Sequence, residues 1–227
     1  MTTATIIDTL QAVKEQSVLL ASGTEADIYY GGIIPDGYVL KLHHDAEKAA
    51  HEVLCLQAFA KTGLGGGFYG LWAGRGILQR KLGNPNPFVL GVPGERLFFT
   101  DYSPLADNIH ISFVEHWEKA FAELHAAGVA HFDISPKNIV FDAEHNPRLV
   151  DMSWAVVPGS SINQRNYELD KECGLDGSFG AYDRLGLQAL KCFFIALKER
   201  KFKIGQQVSE VIRPMMKEQA LNMPFGY

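Results

Sequence analysis

The sequence predicts an α+β fold in two lobes, strand-rich over residues 1–102 and mostly helical over residues 103–227. Three observations carry that expectation. First, 227 residues with 47% apolar and 21% charged side chains suffice for one core or two small lobes. Second, residues 17–42 consist of short branched and aromatic runs broken by glycine turns, the pattern of paired strands. Third, beyond residue 103 the apolar spacing changes from near alternation to the 3–4 residue period of helices.

The elements follow in order. Ile6, Ile7, Leu10 and Val13 lie on one helical face, so the first 15 residues predict an amphipathic helix. Val18–Leu20, Asp27–Tyr30 and Tyr38–Leu42 read as strands, with turns at Ser22–Glu25 and Ile34–Gly37. Ala46–Thr62 reads as a helix, stopped by Gly63 and the triple glycine Gly65–Gly67. Phe68–Trp72, Ile77–Lys81 and Leu97–Tyr102 read as further strands, with the Gly/Pro-rich stretch Gly83–Gly94 between the last two. After Ser103–Asn108, residues Ile109, Phe113, Val114, Trp117, Phe121 and Leu124 mark a helix ending at Gly128. A short strand pair brackets Asp142–Pro147, and Leu185–Lys198 is a second amphipathic helix whose Phe193 and Phe194 belong to the core.

Composition excludes disordered, collagen-like and coiled-coil chains. No apolar run reaches the roughly 20 residues of a membrane helix. The N-terminus has neither a basic start nor a cleavable apolar segment, so a cytoplasmic location is expected. The net charge of −5 has the wrong sign for a general nucleic-acid binder. Residues 191–227 hold seven basic against three acidic side chains, net +4, which leaves −9 on residues 1–190. Cys55, Cys173 and Cys192 have no paired spacing and read as reduced, buried thiols. His43, His44 and His51 lack the Cys or carboxylate partners of a zinc set and read as a solvated loop and helix face.

The segment with the most chemical content is His131-Phe-Asp-Ile-Ser-Pro-Lys-Asn138, followed by a hairpin and Asp151. Asn138 stands five residues after Asp133, and Asp151 thirteen after Asn138. A tight hairpin returns Asp151 beside Asn138, so that two oxygen donors converge where a magnesium ion could sit. Asp133 is left to face a hydroxyl nucleophile.

This segment resembles the catalytic loop and metal-binding strand of the protein-kinase superfamily. The resemblance implies a two-lobed protein-kinase-like fold, with Asp133 as catalytic base and Asn138 and Asp151 as magnesium ligands. It also implies three upstream parts, and each has a candidate in the right order. A phosphate-loop turn is found at Ser22, Gly23, Thr24 and Glu25, and a strand lysine at Lys41. Glu52 is the helical glutamate that holds this lysine, with Glu47 as fallback. ATP would then lie between the lobes, its adenine near the hinge at Asp101–Ser103, which includes Tyr102, with Thr100 as gatekeeper. Asp183 in Tyr182-Asp-Arg-Leu-Gly186 would cap the catalytic-loop backbone, and His131 would organise it.

The string Gly23-Thr-Glu-Ala-Asp-Ile-Tyr29 is similar to the loop of RIO kinases and of the small kinase subunit in the tRNA threonylcarbamoyladenosine (KEOPS) assembly. Ser135 stands where typical serine/threonine kinases carry the catalytic-loop lysine, as in those branches. Asp151-Met-Ser replaces Asp-Phe-Gly, and Phe132 replaces the arginine that receives an activation-loop phosphate. No Ala-Pro-Glu segment follows, and only 44 residues remain after Asp183. What the resemblance implies is a compact serine/threonine protein kinase using ATP and Mg2+, with a protein substrate or partner. The alternatives are a kinase for a sugar, aminoglycoside or lipopolysaccharide core, and a nucleotide-binding pseudokinase scaffold. Retention of Lys41, Asp133, Asn138 and Asp151 argues against the scaffold.

Overall fold

The computed structural model describes residues 3–65, 67–81, 89–92, 96–102, 106, 109–142, 144–173 and 175–221. Gly66, much of the predicted stretch Gly83–Gly94, and most of Ser103–Asn108 around the predicted lobe boundary lie outside these residues. The chain divides into two compact units, Met1–Lys81 and Leu82–Tyr227.

The first unit is a helix, α1 (Thr3–Gln16), and a five-stranded antiparallel sheet carrying a second helix. Its strands are β1 (Val18–Ser22), β2 (Ala26–Tyr30), β3 (Tyr38–His43), β4 (Phe68–Trp72) and β5 (Gly76–Arg80), ordered β1-β2-β3-β5-β4. β3 is central, and the period of two along it sorts its side chains between two environments. Leu40 and Leu42 join Leu10 and Val13 of α1, with Tyr29 and Ile34, in one apolar cluster. The side chains of Ile6 and Ile7, predicted for the same α1 face, lie outside the described positions. Lys41 and His43 alternate with those leucines and turn toward α2 (Ala46–Ala60). α2 starts where it does because Asp45 Oδ1 accepts from the amides of Glu47 (2.7 Å) and Lys48 (3.3 Å). Its buried face consists of Ala49, His51, Glu52, Cys55, Leu56 and Phe59.

The second unit opens with the hairpin β6 (Val89–Val92) and β7 (Arg96–Phe99). Sequence reading places the strand Leu97–Tyr102 in the first lobe, and the backbone bonds of Phe99 run to the C-terminal region. The Phe99 amide donates to Gln206 O and Phe99 O accepts from Gly205, both at 2.8 Å. Phe99 also stacks on Phe202 with centroids 5.1 Å apart. Helices α3 (Phe113–Ala126), α4 (Tyr167–Glu172), α5 (Ala181–Lys198) and α6 (Val208–Glu218) form the rest, with a second hairpin of β8 (Ile139–Phe141) and β9 (Pro147–Leu149). α5 is the core element, burying Leu190, Phe193 and Phe194, and it packs against α3 and α6.

All three cysteines are free and buried. The histidine expectation needs correction: only His44 is exposed, whereas His43 and His51 are 2% and 4% accessible. Strand alternation puts His43 beside Lys41, and residue 51 falls on the buried stripe of α2. Among the described residues, no helix is long and apolar enough to cross a membrane.

Candidate functional site

The first unit contributes a turn and an ion pair. The turn between β1 and β2 closes through Gly23 N–H to Ala26 O at 3.0 Å. Ser22 Oγ donates to Asp27 Oδ1 at 2.6 Å, which together with His44 holds the Asp27 carboxyl below its ordinary range. The turn is tied to the start of α2. The His44 amide donates to Glu25 O at 2.9 Å, His44 Nδ1 lies 3.2 Å from Thr24 O, and Lys48 pairs with the Glu25 carboxylate. A Cβ on Gly23 would meet Ala26 O at 3.4 Å, ordinary contact, so the turn itself does not demand glycine there.

Lys41 Nζ lies 2.9 Å from Glu52 Oε1 and 2.7 Å from Oε2. Glu52 is 2% exposed, and burial alone pushes its carboxyl upward. The charges and hydrogen bonds of Lys41 and His43 outweigh that cost, so the net shift is downward and the carboxylate stays ionised. Glu47, the fallback partner, is exposed.

The second unit holds the segment His131–Asn138, and Asp183 is its anchor. Asp183 has no solvent exposure and sits three residues inside α5, whose N-cap is Gly180. Its carboxylate reaches back some fifty residues, accepting from His131 N–H (2.8 Å) and Phe132 N–H (2.7 Å), with His125 Nε2 at 3.0 Å. These bonds hold Phe132 at φ +60°, a left-handed conformation that costs a bulky residue about 1–2 kcal/mol. The Phe132 ring is buried against Tyr167 and Tyr182, which explains how an apolar residue fills this place. The Asp133 amide donates to His131 Nδ1 at 3.2 Å, so His131 organises backbone as its position suggests.

Asn138 Nδ2 donates to both Asp133 O and Asp133 Oδ2, each at 2.9 Å. With its amide nitrogen committed there, the other side-chain atom, Oδ1, is an acceptor. Val150 N–H donates to Asn138 O at 2.9 Å, extending the β8–β9 ladder and bringing the chain at Asp151 alongside Asn138. The turn of this hairpin is locked by Asp142, which accepts from the amides of Glu144 and Asn146 and from Arg148. Asp151 adopts φ +64°, and its Oδ1 accepts from Ser153 N–H at 3.3 Å. Burial pushes the Asp133 carboxyl upward; Lys137, His131 and Asn138 oppose this, and Asp151 adds to it. The structure therefore brings Asp133, Asn138 and Asp151 into one cluster.

Lys137 was not singled out from sequence. Its Nζ is 3.2 Å from Asp133 Oδ2, whereas Ser135, at the usual lysine position, is wholly buried. The i,i+4 spacing of an acid and a base was the available signal. Thr100, Asp101 and Tyr102 follow β7 in the second unit. The Tyr102 hydroxyl donates to Phe202 O (3.0 Å) and accepts from Phe202 N–H (2.7 Å), so its side chain is occupied structurally.

The donor set suits a hard divalent cation. Asn138 and Asp151 offer amide and carboxylate oxygens, the pattern of Mg2+ held by one or two side chains plus phosphates. Among the described residues, no group of three or more His, Cys, Asp or Glu forms a metal cage of its own.

No family model matches the chain, and no curated protein matches it by sequence. Among solved structures, the kinase PK-1 of Cydia pomonella granulovirus aligns over 88% of this chain and 74% of its own, with a TM-score of 0.51 at 9% identity. That likeness is one of fold: the chain has a protein-kinase-like fold.

Proposed function

We propose that the protein is an ATP- and magnesium-dependent phosphotransferase that moves the γ-phosphate to a hydroxyl, with serine or threonine of a protein as the first-choice acceptor. The observation that carries this reading is Asn138 bonded to both the carbonyl and the carboxylate of Asp133, beside Asp151. Such bonding aims the Asp133 carboxylate and commits the Asn138 amide so that its oxygen is left for a cation.

The roles follow from chemistry. Lys41, held by Glu52, neutralises nucleotide phosphates. Asn138 and Asp151 would hold Mg2+, which when bound supplies charge neutralisation on the phosphate oxygens. Asp133 orients the acceptor hydroxyl and takes its proton. The acceptor oxygen bonds to the γ-phosphorus, the bond to the β,γ-bridging oxygen breaks, and ADP leaves with that electron pair. Little covalent work falls to the protein, so positioning and charge dominate. Lys137 stands beside Asp133, where it can steady charge on the transferred phosphoryl group.

The loop Gly23–Tyr29 and Ser135 support placing the protein with the compact RIO-like kinases. Isothermal titration with magnesium and ATP tests the nucleotide half of the proposal. Wild type should bind, Lys41→Met should bind at least tenfold more weakly, and Asp151→Asn should lose the magnesium dependence. Wild type that binds no nucleotide would overturn it.

A further inference from the structure

Among the buried titratable side chains that the proposed chemistry leaves unused, one stands beside the Lys41–Glu52 pair. His43 ends β3, two residues after Lys41 and on the same side of the strand. It is 2% exposed, and its Nε2 lies 2.8 Å from Glu52 Oε2, the oxygen that also faces Lys41 Nζ at 2.7 Å. Its Nδ1 is buried with no hydrogen-bond partner among the described residues, and Nε2 and Glu52 Oε2, though in close ion-pair contact, are not aligned as a hydrogen bond. An ionised carboxylate only accepts, so His43 can serve Glu52 only through a hydrogen on Nε2, the nitrogen that faces it. A buried imidazole with one nitrogen unsatisfied is costly, and a purely structural position would be better served by an apolar side chain.

We propose that His43 is a positioning residue for the Lys41–Glu52 pair. Glu52 is buried too deeply to rely on water. If Lys41 were its sole partner, a lysine drawn toward phosphates would leave a buried, uncompensated carboxylate, an expensive state. His43 supplies a second, fixed donor from the same strand, so Glu52 keeps its place and α2 keeps its docking while the lysine ammonium serves the nucleotide. Lys41 is the more accessible of the two donors, with 14% side-chain exposure against 1% for His43, which suits this division of labour. The catalytic consequence rests on the phosphotransferase reading above; the His43–Glu52 contact itself does not.

Two measurements on the full chain decide it. Nitrogen-15 NMR of the histidine rings reads the tautomer without nucleotide or turnover. His43 should show protonated Nε2 and bare Nδ1, with the Nε2 signal shifted in Glu52→Gln; a protonated Nδ1 overturns the proposal. Steady-state transfer is then compared for His43→Phe and His43→Gln. The phenylalanine variant, which fills the space without a donor, should lose about tenfold in kcat/KM for ATP, the scale of one hydrogen bond to a charged group. Glutamine, whose Nε2–H can reach Glu52, should recover to within about threefold of wild type on the same scale. A folded His43→Phe with wild-type kcat/KM, or glutamine no better than phenylalanine, refutes the positioning role. Lys41→Met separates the two readings. If it too leaves transfer unchanged, the phosphotransferase assignment of Lys41 fails. The NMR result then decides the His43–Glu52 contact alone.

Discussion

Asp183→Asn distinguishes an anchor of the catalytic loop from an ordinary residue near a helix start. An exposed cap contributes about 1 kcal/mol. Asp183 is instead fully buried and accepts from two backbone amides and the His125 ring at 2.7–3.0 Å. Turning one carboxylate oxygen into an amide nitrogen opposes a donor to a donor whichever way the group rotates. One hydrogen bond to a charged acceptor, about 1.5–3 kcal/mol, is lost and a buried N–H is left unsatisfied. The expected destabilisation is about 3 kcal/mol for asparagine, and about 4–5 kcal/mol for alanine, which abandons all three donors. Release of Phe132 from its left-handed conformation should disorder the approach to Asp133, so transfer falls more than stability does. Urea denaturation followed by circular dichroism reads the first effect, and single-turnover transfer the second. A loss of 1 kcal/mol or less with transfer intact would match a plain cap and refute the reasoning.

Three more outcomes are expected. Glu52 has a carboxyl held below the ordinary 4.5, so its pairing stabilises the fold above that pH and the contribution is lost as pH falls through the depressed folded value. Glu52→Gln should therefore be clearly less stable than wild type at pH 7, with the gap closing below about pH 4 in paired urea melts; a gap independent of pH would contradict the ion pair. Gly180 has φ +79°, and a Cβ there would come within 2.3–2.4 Å of the His125 ring, so Gly180→Ala should cost about 2–3 kcal/mol and displace the ring that braces Asp183. Lys137→Met should lower transfer about tenfold and leave stability within about 1 kcal/mol, because its pair with Asp133 is partly solvated. A stability loss without a transfer defect would reassign Lys137 to a structural role.

Much of this was legible in the sequence, for identifiable reasons. Strands β1 to β5 announce themselves by branched and aromatic runs between turns, and α2 by the Gly63 that follows it. The Asp133–Asn138–Asp151 spacing is readable because a short hairpin fixes where Asp151 returns. β6 is hidden in the sequence because Gly91 and the surrounding glycines and prolines carry loop chemistry. α6 was hidden by Pro214 inside it, although Val208, Ile212 and Met216 form a buried i,i+4,i+8 stripe. The strand Leu97–Tyr102 reads as part of the first lobe because strand composition says nothing about a backbone bond from Phe99 to Gln206. Nor does local sequence show that residues 132 and 151 have positive φ, since long-range bonds such as those of Asp183 impose such conformations. His43 was misread for a similar reason: three nearby histidines suggest a wet surface until strand alternation is applied to Lys41 and its neighbour two places on.

The most direct test of phosphoryl transfer is incubation of purified wild type and Asp133→Ala with magnesium and γ-labelled ATP. Protein and a panel of hydroxylated small molecules are offered as acceptors, and products are read by intact mass and label. Wild type should transfer label to an acceptor, and Asp133→Ala, folded and still binding ATP, should transfer none. An Asp133→Ala protein that transfers at the wild-type rate would contradict the assignment of Asp133 as the base.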